Sequence, residues 1–123
     1  AQEEISHAML IRAYMLNNEE KIKLLPIEAP DEVYHDFGAP LDGALAHEKL
    51  VTASIHNLYA AANEAHDYRT MQFLDWFVKE QGEEEMNAED NIRKYELAGE
   101  RALFMLDHAF AGRSYSAPSL ELD

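Results

Sequence analysis

The sequence predicts an all-α fold, and three observations carry that prediction. Apolar residues recur at helical spacing through three long stretches. No segment sustains the two-residue alternation of a half-buried strand. The breaks between stretches hold the Asn, Gly and Pro residues that end helices. At 123 residues the chain has the size of one domain, 1–123, able to bury about two thirds of the surface its unfolded form exposes.

The first helix is expected at 1–16 and stops at "NNEE", where Asn17 and Asn18 are good terminators. A connection occupies 19–40, "EEKIKLLPIEAPDEVYHDFGAP", broken by Pro26, Pro30, Gly38 and Pro40. The second helix is placed at 41–65. A tight turn at "HDY", His66 to Tyr68, makes it an antiparallel hairpin with a third helix at 69–98. Gly99 closes the third, a short apolar helix, "RALFMLDHAF", sits within 100–112, and 113–123 reads as a flexible tail. Fully extended at ~3.3 Å per residue, the first connection reaches roughly 70 Å. A helix spanning 41–65 is only ~38 Å long, so the connection can cross back along it and leave the first two helices parallel, as in one kind of four-helix bundle.

Only three long helices are present, and the first has no Ser, Thr, Asp or Asn cap before it. This reads as a bundle whose first helix, and the start of the next, belong upstream. A helix of that kind buries about eight apolar side chains at ~1.5–3 kcal/mol each, comparable with or above the ~5–15 kcal/mol net stability of a whole domain. The expectation is that these residues do not stand alone as a well-packed monomer.

Charge and composition narrow the function. With 24 Asp and Glu against 10 Lys and Arg, the formal charge is −14. That argues against nucleic acid and against an anionic membrane surface as partners, and in favour of cations. The absence of cysteine excludes disulfides, thiolate zinc sites and cysteine nucleophiles, and is compatible with a reducing cytoplasm. No apolar run approaches the ~18 residues of a membrane span, and no signal peptide is visible.

Acidic residues also fall where apolar ones are expected. At 100° per residue Leu41, Leu45, Thr52, Ile55, Leu58 and Tyr59 form one stripe of the second helix, with Glu48 inside it. Glu4, His7, Ile11 and Tyr14 share a face of the first helix. Leu74, Phe77, Gln81, Glu84, Ala88, Ile92 and Tyr95 share one of the third. Burying an ionised carboxylate costs several kcal/mol, so Glu4, Glu48 and Glu84 on inward faces require compensation. Lys49, Lys79 and Arg12 lie off these faces. Cations remain: hard oxygen donors with a single imidazole suit iron or manganese better than zinc.

These residues resemble those of the non-haem bacterial ferritins. The resemblance runs through "AQEEISHAM", "ALAHEKLVTASIHNLYAAANEAHDYRTMQFLDWFVKEQGEEE" and "LAGE" followed by a short apolar helix, and covers essentially the whole chain. It implies a ferritin-like four-helix bundle with a long crossover and a short C-terminal fifth helix, here three long helices and the short one. Ferritin-like di-iron bundles take one Glu from each of two helices and a Glu-x-x-His from each of the other two. The first helix offers Glu4-x-x-His7 and the second Glu48, whereas the third offers Gln81-x-x-Glu84 instead of a second Glu-x-x-His. That departure favours ferritin over bacterioferritin, and it weakens a di-metal peroxidase.

What the resemblance implies about residues follows position by position. Glu4, His7 and Glu48 would hold a first iron, with Glu48 leaning to a second that Glu84 binds with Gln81 nearby. Glu3, Glu80 and Glu83 would form a third, weaker iron position, and Trp76 would be chiefly a core or interface aromatic. The implied activity is that of a ferroxidase, oxidising Fe(II) with O2 or H2O2 and storing Fe(III) as mineral. The implied assembly is a cytoplasmic homo-oligomeric cage of twenty-four subunits, the short helix lining a pore. The competing expectation is a non-catalytic, structural or metal-binding subunit that keeps the shape of the family without its full ligand set.

Overall fold

A computed structural model describes residues 1–30, 33–99 and 102–122. Among them the only regular elements are four α-helices: α1 (Gln2–Asn17), α2 (Ala39–Glu64), α3 (Tyr68–Ala98) and α4 (Leu103–Ala111). The chain separates into two compact units, Ala1–Pro30 with Phe110–Asp123, and Asp31–Ala109. Asp31 and Glu32 of the expected connection, Glu100 and Arg101 at the expected start of the short helix, and Asp123 of the tail lie outside the described residues.

In the first unit α1 begins without a side-chain cap, and Glu3 and Glu4 in its first turn complement the positive end of the helix dipole. Its end is more specific than a pair of asparagines suggests. Asn18 Nδ2 donates to the Tyr14 carbonyl at 2.8 Å. The left-handed position, however, is taken by Glu19, φ 62°. Glu19 N–H donates to the Leu16 carbonyl at 3.1 Å and Glu20 N–H to that of Met15 at 2.9 Å, the paired bonds of a Schellman ending. The C-terminal segment, expected to be loose, makes specific contacts in this unit. Tyr115 Oη and Ser6 Oγ share a hydrogen bond of 2.9 Å, and the Arg113 guanidinium lies 5.5 Å from the centre of the Phe110 ring. A phenol and a guanidinium each find a partner even on an exposed surface.

The second unit is built on the α2–α3 hairpin. α2 starts at Ala39, two residues before the sequence-based boundary, because the Asp36 carboxylate accepts from the N–H groups of Gly38 (2.9 Å) and Ala39 (2.8 Å). Pro40 sits in the first turn, where a missing N–H costs nothing. The break read from that proline is a helix start. At the other end His66 takes the left-handed position, φ 55°. His66 N–H donates to the Asn63 carbonyl at 3.1 Å and Asp67 N–H to that of Ala62 at 2.8 Å, a second Schellman ending. Asp67 then caps α3, accepting from Thr70 N at 3.1 Å and Thr70 Oγ1 at 2.6 Å. One residue finishes one helix and starts the next, so the turn is short.

The register is antiparallel. Tyr59 donates to Asp75 Oδ1 at 2.9 Å near the turn, and Gln81 reaches Glu48 farther along. Between the helices lies an apolar core of Ile55 and Ala62 from α2 with Phe73, Leu74, Phe77 and Ala88 from α3. Phe77 stands at its centre of aromatic contacts, 5.3 Å from the Phe73 ring and 5.0 Å, edge to face, from that of Trp76. Two packed helices cover one face of each. Leu58, expected in the buried stripe, is therefore 52% exposed. α4 is apolar and exposes Phe104 and Met105, with none of its residues buried. No described helix is long and apolar enough to cross a membrane.

Candidate metal-donor residues

The Glu4-x-x-His7 spacing works as helical geometry requires. Residues three apart share a face, and Glu4 Oε2 lies 3.7 Å from His7 Nδ1. That distance is an approach, too long for a hydrogen bond. The two side chains differ in environment: His7 is buried, whereas the Glu4 side chain is 55% exposed. The expectation of a buried, costly carboxylate at Glu4 is thus corrected. Lying along its own helix toward the imidazole, it keeps its carboxylate in solvent. Glu3, beside it, is half-buried.

In the second unit the principal juxtaposition is Gln81 with Glu48. Gln81 is 4% exposed, the most deeply held polar side chain described. Its Nε2 lies 3.2 Å from the Glu48 carbonyl, 3.2 Å from Glu48 Oε2 and 3.3 Å from Thr52 Oγ1. Glu48 itself is half-buried and has a neutral donor beside it, so the compensation sought from cations alone is partly supplied by an amide. Thr52 belongs by spacing to the apolar stripe of α2. Its sign was a hydroxyl one helical turn beyond the odd carboxylate, on the same face. Glu84, one turn beyond Gln81 on α3, is half-buried, as is Glu80. Glu83 is exposed and lies 3.9 Å from Lys79 Nζ, a surface pair of little energetic weight. Trp76 is half-buried, its ring against Phe77.

Two juxtapositions of candidate donors are thus described, Glu4 with His7 in the first unit and Glu48 with Gln81 in the second. Among the described residues no group of three or more His, Asp or Glu side chains is gathered in a way that could hold a metal ion. Chemically, the candidates are carboxylate and amide oxygens with one imidazole, a donor set that fits iron or manganese and lacks the thiolates or multiple imidazoles characteristic of structural zinc.

Comparison with known proteins places this arrangement in a family. Residues 1–98 match the ferritin-like domain of the Ferritin family. A probable bacterial non-heme ferritin-like protein of Haemophilus influenzae is 31% identical over 119 residues, which are 95% of this chain and 72% of that protein. The bacterial non-heme ferritin of Escherichia coli O6:H1 is 33% identical over 109 residues, 87% of this chain and 66% of the relative's length. Among solved structures, an open pore ferritin from the hyperthermophilic archaeon Archaeoglobus fulgidus superposes with a TM-score of 0.89 at 36% identity. That match covers 92% of this chain and 71% of the archaeal one. The all-helical order described above thus has its setting: the chain belongs to the ferritin family.

Proposed function

We propose that this protein stores iron, oxidising Fe(II) to Fe(III) at a paired carboxylate site and depositing the product as mineral inside an oligomeric shell. What supports the reading is the presence of Glu4-x-x-His7, Glu48 and Gln81-x-x-Glu84 within the span that matches the family. In this reading Glu4, His7 and Glu48 bind one substrate Fe(II), and Glu84, with Gln81 nearby, binds a second toward which Glu48 leans. Two ferrous ions lose one electron each, and O2 accepts both with two protons to leave H2O2. Carboxylates favour this direction because they stabilise the higher charge of the ferric state. Glu3, Glu80 and Glu83 supply a third, weaker position. The charge of −14 concentrates cations around the protein. Assembly into a shell of twenty-four copies in the cytoplasm, with α4 at a pore, completes the proposal.

A second reading is a non-catalytic subunit that binds metal without rapid oxidation. The exposure of the Glu4 side chain favours it. Aerobic addition of Fe(II), followed by absorbance of the ferric oxo-hydroxide product, separates the two. The storage reading expects fast oxidation and uptake far beyond the ligand-bound ions, with His7→Ala and Glu84→Ala slow yet still assembled. Uptake limited to a couple of ions per chain, or variants as fast as the parent, would overturn it.

A further inference from the structure

The Glu48 carboxylate is held by more than its own helix. Gln81 reaches across from α3 and offers one nitrogen to three oxygens of α2: the Glu48 carbonyl, Glu48 Oε2 and Thr52 Oγ1. A primary amide nitrogen carries two N–H bonds, so the three acceptors share two donors and each contact sits at the long end of hydrogen-bond range, 3.2–3.3 Å. No one of them fixes the amide; the set of three does. The partners themselves dictate which way the amide faces. A peptide carbonyl and an ionised carboxylate only accept, and turning the amide over would press its oxygen against both. The nitrogen must face Glu48, and the amide oxygen is turned away from it.

Thr52 is the one partner in this set that belongs neither to Glu48 nor to a backbone group. Standing four residues after Glu48, it lies on the same face of α2 one turn along, and its hydroxyl marks the far edge of the surface the amide spans. We propose that Thr52 is a positioning residue: its hydroxyl pins the Gln81 amide so that the remaining N–H bond holds Glu48 Oε2 in the orientation used for metal binding. Without the hydroxyl the amide nitrogen loses one of its three partners and can swing about its terminal torsion, releasing the carboxylate to other rotamers. The inference rests on the iron-site reading of Glu48 and deepens it.

The test is a cobalt(II) titration of the assembled protein and its variants, read by the visible d–d absorption and by bound metal per chain. Thr52→Val, which removes the hydroxyl at nearly constant shape, should weaken cobalt binding about 10-fold, as loss of a group that orients a metal ligand commonly does, and should alter the d–d band. Thr52→Ser should restore affinity and spectrum, which a purely packing role for the threonine methyl does not allow. Thr52→Ala removes the same hydroxyl with no bulk and serves the same purpose should the valine variant not fold. Glu48→Ala separates the two layers of the argument. If it leaves cobalt binding unchanged, the iron-site reading of Glu48 fails. If it abolishes binding while both hydroxyl-deleted variants match the parent, the positioning role alone fails.

Discussion

Gly38 offers a direct test of how the start of α2 fits against the end of α3. A methyl group built on Gly38 would lie 2.7 Å from Tyr95 Cε1 and 3.3 Å from Tyr95 Cδ1, with Asp36 Oδ1 also at 3.3 Å. Carbon atoms in contact prefer about 3.5–4.0 Å, so Gly38→Ala forces the ring or the helix start to move by most of an ångström. Overpacking of this kind costs about 1–3 kcal/mol. The backbone itself raises no objection, since Gly38 has φ −79° and ψ −34°, a conformation alanine adopts readily. Stiffening of the unfolded chain then returns about 0.4–1 kcal/mol, leaving a net loss centred on ~1.3 kcal/mol within a range of about 0–2.6 kcal/mol. The double-mutant cycle with Tyr95→Ala isolates the clash, because changes in chain entropy and in capping at residue 38 are common to both backgrounds and cancel. Urea unfolding of the four proteins at one protomer concentration is the measurement. Gly38→Ala should be clearly destabilising in the parent and neutral or mildly stabilising once the ring is gone. A coupling below about 0.5 kcal/mol, the ordinary error of additivity, would refute the claim that the glycine is there for the tyrosine.

Two further expectations concern the hairpin. Phe77→Ala removes a ring that is 4% exposed and in contact with two other aromatics, and should cost about 3–5 kcal/mol in the same unfolding measurement. Asp67 has its pKa held below the ordinary carboxylate value by the Thr70 hydroxyl and then by the Thr70 N–H. Its contribution to stability is therefore complete above the unfolded carboxylate pKa of about 3.9 and is lost as the pH falls through the lower folded value. Thr70→Val should move the Asp67 titration, followed by carboxylate NMR, back upward; an unchanged midpoint would show that the hydroxyl is not the cause.

The helical class was legible because helix formation is written locally. A period of 3.6 residues over long stretches, with terminators between them, fixes element type without knowledge of what the elements pack against. Glu4-x-x-His7 was legible for the same reason, since three residues along one helix always bring two side chains to one face. The turn at His66 to Tyr68 was visible as a short break, and its chemistry, a Schellman ending that hands directly to an Asp67 cap, follows from neighbouring residues alone. Pro40 misled because the same residue that breaks a helix interior is welcome in its first turn, and the deciding group, the Asp36 carboxylate, lies outside the helix.

Local pattern and composition thus set the all-α class, the hairpin, the acidic character and the family-bearing residues. Tertiary structure decided which of those residues meet. That Gln81 turns its nitrogen onto Glu48 and Thr52, and that Phe73 is buried while Leu58 is half in solvent, depends on the rotation of each helix about its axis when α2 and α3 pack. Periodicity defines a stripe only to within a broad arc, whereas a hydrogen bond is made or lost over a few tenths of an ångström. Glu4, exposed although its spacing places it beside His7, shows the same limit: a position in a stripe says which way a residue points, and only its neighbours in space say whether water reaches it.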